Sequence, residues 1–156
     1  MKPIQNWLDD YAESHRNPTN IKIHWICVPL IMLSIIGLLA NIQLNVEILS
    51  AYPQYNHAGM ILVLFGSIYY YFLSKSLLLG MIPVSIIMLM IISWFSTFSY
   101  PLWLTSLLIF VISWVGQFYG HKIEGKKPSF FKDIQFLMIG PLWLLSKLYR
   151  KCGISY

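Results

Sequence analysis

Long uncharged stretches broken by short polar turns organise this chain. Between Lys22 and Glu47 no residue carries a formal charge, with histidine taken as neutral. A bilayer core is about 30 Å thick and takes roughly 20 apolar residues to cross as a helix. A first span is therefore expected over residues 23–44. The polar turn at 51–57 leads into a short span at 58–73. From Ser76 to His121 charge is again absent. As one helix that run would measure about 69 Å, more than twice a bilayer. Ser99-Tyr100-Pro101 is its natural break, because proline disfavours helix at the residue before it. The run divides into spans at 77–98 and 101–119. A last apolar run at 134–146 contains Gly140-Pro141 and ends in Lys147, Arg150 and Lys151. It is too short to span and is expected to be re-entrant or interfacial.

Ahead of the first span, Ile4, Leu8, Tyr11 and His15 recur at i, i+4, i+7 and i+11, with Trp7 beside them. This is one stripe of an amphipathic helix, so His15 points with the apolar face. Asp9, Asp10 and Glu13 lie off the stripe. The expected fold is all-α: an integral membrane helical bundle of about four transmembrane helices, an N-terminal amphipathic helix and a C-terminal re-entrant or interfacial helix. One domain covers 1–156.

Composition supports this class. Charged residues make up 11% of the chain, against about 25% in soluble domains, and mean hydropathy is +0.62. The net charge of +5 raises the question of nucleic acid, but the basic residues flank apolar segments, as at a cytoplasmic membrane face. Four crossings place all 11 Lys and Arg on one side and Glu47 on the other. The opening residues lack an apolar signal-peptide core, so no cleavable signal is expected. Cys27 and Cys152 form no recognisable framework.

The same topology brings three of the four histidines to the basic side. His15 and His24 flank the entry to the first span, and His121 closes the fourth. Neutral imidazoles are metal ligands, and histidine at membrane depth is usually functional. A single helix would set His15 and His24 about half a turn out of phase. Asn17-Pro18 forbids that helix, and Asn20 is expected to cap the first span. Read by itself, this segment is a helix–turn–helix with interfacial histidines. On the fourth span, Gly116 and Gly120 allow close helix approach. Gln117, His121 and Glu124 follow at i, i+4 and i+7, on one face if the helix persists. Glu124 is a candidate fourth ligand or an acceptor for a ligand N–H. Its bland counterpart is a membrane exit followed by snorkelling lysines. Lys126 and Lys127 are candidate partners for a substrate carboxylate. His57 falls on the opposite side and is read as structural. Cys27 is read as a buried thiol, and the tryptophans and Tyr69-Tyr70-Tyr71 as interface belts and lipid-facing packing. No phosphate loop, nucleophile elbow or HExxH motif is present.

Two motifs carry a family resemblance. Tyr11…His15-Arg-Asn17-Pro18-Thr-Asn20…His24-Trp-Ile-Cys-Val28-Pro29 resembles the N-terminal signature of the small membrane 2-hydroxy-fatty-acid dioxygenases. Gln117-Phe-Tyr-Gly120-His121…Glu124-Gly-Lys-Lys-Pro128, with the later Gly140-Pro141, resembles their C-terminal signature. The resemblance covers nearly the whole chain. It implies an Fe(II)-dependent α-oxidation in which a 2-hydroxy fatty acid and O₂ yield a fatty acid one carbon shorter. It makes His15, His24 and His121 the iron ligands. Gln117, Asn17, Asn20 and Glu124 are then the expected helpers that orient ligands or substrate, and Tyr11, Lys126 and Lys127 the expected substrate contacts. The compact chain looks bacterial, which implies an inner membrane with the site at its cytoplasmic face, or the endoplasmic reticulum in a eukaryote. Expected partners are the lipid substrate, O₂ and the bilayer. Two rival classes share the same residues: a zinc-dependent membrane lipid hydrolase and a non-enzymatic carrier. Spans two and three hold no polar residues except serines, which disfavours the carrier.

Overall fold

A computed structural model describes residues 3–125 and 136–156. Six helices make up the described residues: α1 Ile4–Ala12, α2 Pro18–Leu39, α3 Ala58–Leu73, α4 Lys75–Phe95, α5 Leu102–Glu124 and α6 Ile139–Lys151. Two short 3₁₀ turns and one isolated bridge between Gln43 and His57 shape the α2–α3 connection.

Helix α2 begins earlier than expected, and its cap is Asn17 rather than Asn20. The Asn17 side chain accepts hydrogen bonds from the backbone N–H of Thr19 at 2.9 Å and of Asn20 at 3.4 Å. Pro18 then occupies the first helical position, where its fixed φ suits a helix and its missing N–H costs nothing. The far end also comes early, at Leu39. There the Asn41 amide donates to the carbonyls of Gly37 and Leu38 and takes up groups the helix would otherwise leave open. Helix α5 runs past residue 119 to Glu124 and stops at Gly125, whose φ of +73° is the left-handed conformation that glycine supplies at helix ends. This persistence keeps Gln117, His121 and Glu124 on one face.

Among the described residues, α2 and α5 make the most extensive helix contact. The two helices run antiparallel, with Asn20 against Gly120, Cys27 against Gly116 and Ser106 against Gly37. A Cβ at Gly116 would stand 2.7 Å from the Cys27 sulfur, and one at Gly37 or Gly120 would run into Ser106 or Asn20. Small residues therefore permit this approach, which in an apolar solvent rests on packing rather than on a hydrophobic drive.

Helix α6 is too short to cross a bilayer and packs against α1 and α4. It contributes Ile139, Leu142, Trp143 and Leu144 to a core shared with Leu8, Tyr11, Val28, Tyr70, Leu77 and Met81. Trp143 and Tyr70 are thus buried rather than lipid-facing, a correction to the belt reading. Both are enclosed because α6 folds back under α1. The Tyr149 hydroxyl donates to the Ser76 carbonyl at 3.0 Å, and Ser76 donates to the Ser155 carbonyl at 3.1 Å. Arg150 reaches Gln5. The N-terminal helix, the α3–α4 turn and the C-terminus therefore share one end of the bundle.

Helices α2, α4 and α5 are long and apolar enough to cross a membrane. Helix α3 has 16 residues, about 24 Å of rise. Outward faces expose large apolar residues, among them Phe65, Ile68, Ile87, Met90, Ile112 and Val115. So many exposed large apolar side chains fit lipid better than water.

The Gly116–Cys27 contact yields a stability test. Gly116→Ala should lower the thermal midpoint in detergent, consistent with the about 1–3 kcal/mol typical of overpacking. Adding Cys27→Ala should restore part of the loss. A double variant no more stable than G116A would show that the contact does not limit helix approach.

Candidate metal centre

Three histidines reach one point from three different segments. His15 lies in the turn after α1, His24 in the second turn of α2, and His121 in the last turn of α5. All three are buried. One ligand nitrogen from each lies within 4.8 Å of the others. The ring pairs meet edge to face, with centroids 4.2 Å apart for His15–His24, 5.3 Å for His15–His121 and 5.2 Å for His24–His121.

Backbone carbonyls orient two of the rings. His15 Nδ1 lies 2.6 Å from the Tyr11 carbonyl, and His24 Nδ1 lies 2.9 Å from the Asn20 carbonyl. A carbonyl only accepts, so each Nδ1 carries the proton when these bonds form. In the neutral rings both Nε2 atoms are then bare lone pairs. Those two atoms face each other at 2.8 Å. Two lone pairs at that distance repel, and a shared cation would turn the repulsion into binding. Burial pushes the His15 imidazole down from the usual 6.5 to about 4, so it is neutral at physiological pH. Neutral rings with donated Nδ1–H groups are the form in which imidazole binds metals.

Glu124 sits one layer out. Its carboxylate accepts from the backbone N–H of Arg16 at 2.8 Å, from that of Asn17 at 2.9 Å, and from the Asn20 side-chain amide at 3.0 Å. It is not among the converging ligand atoms. The arrangement fastens the α1–α2 turn to the end of α5. Asn17 caps α2, while Asn20 ties Glu124 to the carbonyl that holds His24. Neither asparagine lines the cavity beside the histidines.

That cavity has a volume of about 40 Å³ and is lined by His24, His121, Gln117 and Tyr11 together with apolar walls from Val28, Ile31, Trp114, Phe136, Leu137 and Gly140. A water needs only about 10–15 Å³ of such space, so small ligands fit. The buried Gln117 Oε1 has no hydrogen-bond partner, which leaves it available to a bound molecule. Tyr11 stacks on His15, with ring centroids 4.1 Å apart and planes within 5°.

Among the expected site residues, His24, His121, Gln117 and Tyr11 line the cavity, and His15 joins the two histidines beside it. Asn17, Asn20 and Glu124 form the supporting clamp. Lys126 and Lys127 lie outside the described residues. His57 stands at the N-terminus of α3, at the other end of the bundle, and is buried. Cys27 is buried against Gly116 and is not in the cluster. Trp143 was not expected at the site. Its ring centroid lies 5.3 Å from that of His15 and 5.1 Å from that of Tyr11, and the Lys147 ammonium lies 4.1 Å from a Trp143 ring centroid. Phe136, Trp114 and Gly140 were also missed as cavity walls. Gly140-Pro141 was the available signal, since it marks where the chain re-enters beside Tyr11, whose hydroxyl stands 3.0 Å from where a Gly140 Cβ would be.

The family model described as "2-hydroxy-palmitic acid dioxygenase Mpo1-like" matches residues 1–152. The curated 2-hydroxy-palmitic acid dioxygenase MPO1 of Saccharomyces cerevisiae is 28% identical over 152 residues, covering 96% of this chain and 82% of the yeast protein. No solved structure matches. The chain belongs to the Mpo1-like family of 2-hydroxy-palmitic acid dioxygenases.

Proposed function

We propose that this protein is an Fe(II)-dependent dioxygenase that shortens long-chain 2-hydroxy fatty acids by one carbon, with His15, His24 and His121 as the iron ligands. The observation that carries the reading is the approach of two histidine Nε2 atoms to 2.8 Å while both Nδ1 atoms face backbone carbonyls. Imidazole donors suit Fe(II), and three of them would leave positions open for substrate and O₂.

The overall reaction balances as a 2-hydroxy acid plus O₂ giving the shorter acid, CO₂ and water. Iron held by His15, His24 and His121 would supply the O₂ activation. The chain's own residues do the rest. The Tyr11 and Asn20 carbonyls fix two imidazoles in the Nδ1–H tautomer. Glu124 and Asn20 hold the turn that carries His15 against the helix that carries His121. Gln117 is placed to orient the substrate by accepting from its hydroxyl through the unpartnered Oε1. Tyr11, Trp114 and Phe136 wall the cavity and limit water. The same reading puts the site at the cytoplasmic face of the membrane, where the basic residues gather and where Lys126 or Lys127 would meet the substrate carboxylate.

Metal analysis tests the ligand set. Purified protein should hold near-stoichiometric iron. Replacing any one histidine of the three by Ala should weaken binding by more than the about 10–100-fold typical of outer-shell losses. Full metal content in all three variants would remove the assignment. Iron-loaded protein should consume O₂ with 2-hydroxypalmitic acid and release the acid one carbon shorter. Product formation without O₂, supported by zinc, would point to a hydrolase instead.

Glu124 separates a ligand from a positioning residue. Glu124→Gln keeps an acceptor oxygen for the Arg16 and Asn17 N–H groups and should retain most of the metal. Glu124→Ala should lose affinity about 10–100-fold. Equal losses in both variants would instead mark Glu124 as a charge the metal needs directly.

A further inference from the structure

A second cavity of about 90 Å³ lies deeper in the bundle, walled by Met32, Ile36, Val63, Gly66, Ser85 and Met138, among others. Its polar groups are already engaged or sparse: the Tyr70 hydroxyl donates to the Met138 carbonyl at 2.9 Å, and Ser67 donates to the Val63 carbonyl. Nothing there invites a polar ligand.

The two cavities are arranged end to end. His24, Val28 and Ile31 line the one beside the histidines, and Met32, Ile35 and Ile36 line the deeper one. These positions fall on successive turns of one face of α2. Leu137 lines both cavities. From His24 to Ile36 the helix rises about 18 Å, close to the half-thickness of a roughly 30 Å bilayer core that one lipid tail fills. A third cavity of about 150 Å³, lined by Trp25, Pro29, Met81 and Leu145, shares no residue with the one beside the histidines.

We propose that the deeper cavity receives the acyl tail of the substrate whose head lies at the three histidines, and that Gly66 and Ser85 on its walls set the chain length accepted. This rests on the function proposed above. The tail passes Leu137 and runs along α2 inside the protein. Glycine at 66 keeps that wall open: a Cβ there would already stand 3.2 Å from the Met138 methyl, and a larger side chain would project into the tail's path. Ser85 offers the same opportunity from α4.

Turnover of 2-hydroxypalmitic and 2-hydroxydecanoic acids by iron-loaded protein tests the idea, with metal content measured alongside. Gly66→Leu and, as a separate variant in case the first fails to fold, Ser85→Leu should lower kcat/KM for the long acid at least tenfold. The short acid should change less than threefold and metal content should stay at the parent level. Leu145→Phe, which fills the third cavity, should leave the ratio unchanged. A 2-hydroxy acid carrying a diazirine at its tail end, irradiated without O₂, should label Leu62, Val63 or Ile35, which line the deeper cavity and not the third. An unchanged chain-length ratio in a folded, metal-loaded variant, or labelling of Met81 and Leu148 instead, overturns the tail channel while leaving the proposed reaction in place. Failure of the parent protein to turn over either acid overturns the proposed reaction itself and the channel with it.

Discussion

The clamp made by one carboxylate holds this site in register. Glu124 ends α5, and its oxygens receive the backbone N–H groups of Arg16 and Asn17 and the side-chain amide of Asn20. Charge-assisted bonds of this kind are the stronger class of hydrogen bond. They join segments more than 100 residues apart in sequence, and each joined segment carries a histidine on its inner side. Remove the clamp and the turn that carries His15 loses its hydrogen bonds to α5. With it, the turn is closed, Asn17 caps α2, and the carbonyls of Tyr11 and Asn20 are in place to set the tautomers of His15 and His24.

The clamp works only because α2 and α5 lie close. Gly120 sits against Asn20, and Gly116 sits against Cys27. A side chain at either glycine would push α5 away and take His121 and Glu124 with it. The small-residue seam and the polar clamp are therefore one device at two depths. The seam sets helix separation within the apolar layer, and the clamp sets rotation and register at its polar end. The unsatisfied Oδ1 of Asn20 is consistent with a side chain placed for its amide donor and its backbone, at some cost to its own oxygen.

Much of this was legible in the sequence because hydrophobic length and charge are global constraints. The span at 58–73 agrees with α3 as observed, since polar residues bound it on both sides. The stripe Ile4, Leu8, Tyr11 and His15 faces inward as its spacing required; Leu8, Tyr11 and His15 are buried, while Asp9, Asp10 and Glu13 are exposed. The start of α2 was misplaced because two asparagines compete as caps, and proline at the first helical position decides between them only once the turn is seen. Trp143 was misread for a different reason. Tryptophan beside a basic run looks alike whether it faces headgroups or folds under α1, and only tertiary packing against Tyr11 and His15 distinguishes the two. The deeper cavity leaves no local signature at all, since its walls come from α2, α3, α4 and the turn before α6.

The separation of chemistry along the bundle follows from the solvent around it. Imidazoles and a carboxylate clamp are affordable at the end of the helices, where the chain also concentrates its lysines and arginines. Deeper in, an unpaired polar group would cost several kcal/mol, and the walls there are mostly apolar, with the Ser67 hydroxyl turned back onto its own helix and the Tyr70 hydroxyl onto the Met138 carbonyl. An amphiphile with a hydroxy-acid head and a hydrocarbon tail has the same division. The proposed substrate therefore needs no lifting out of the bilayer: its tail can exchange lipid contacts for those of α2 and α3, while its head moves only as far as the three histidines. Since tail burial from lipid gains little, selectivity for length must come from the shape of the walls rather than from hydrophobic drive, which is why single small residues such as Gly66 and Ser85 can govern it.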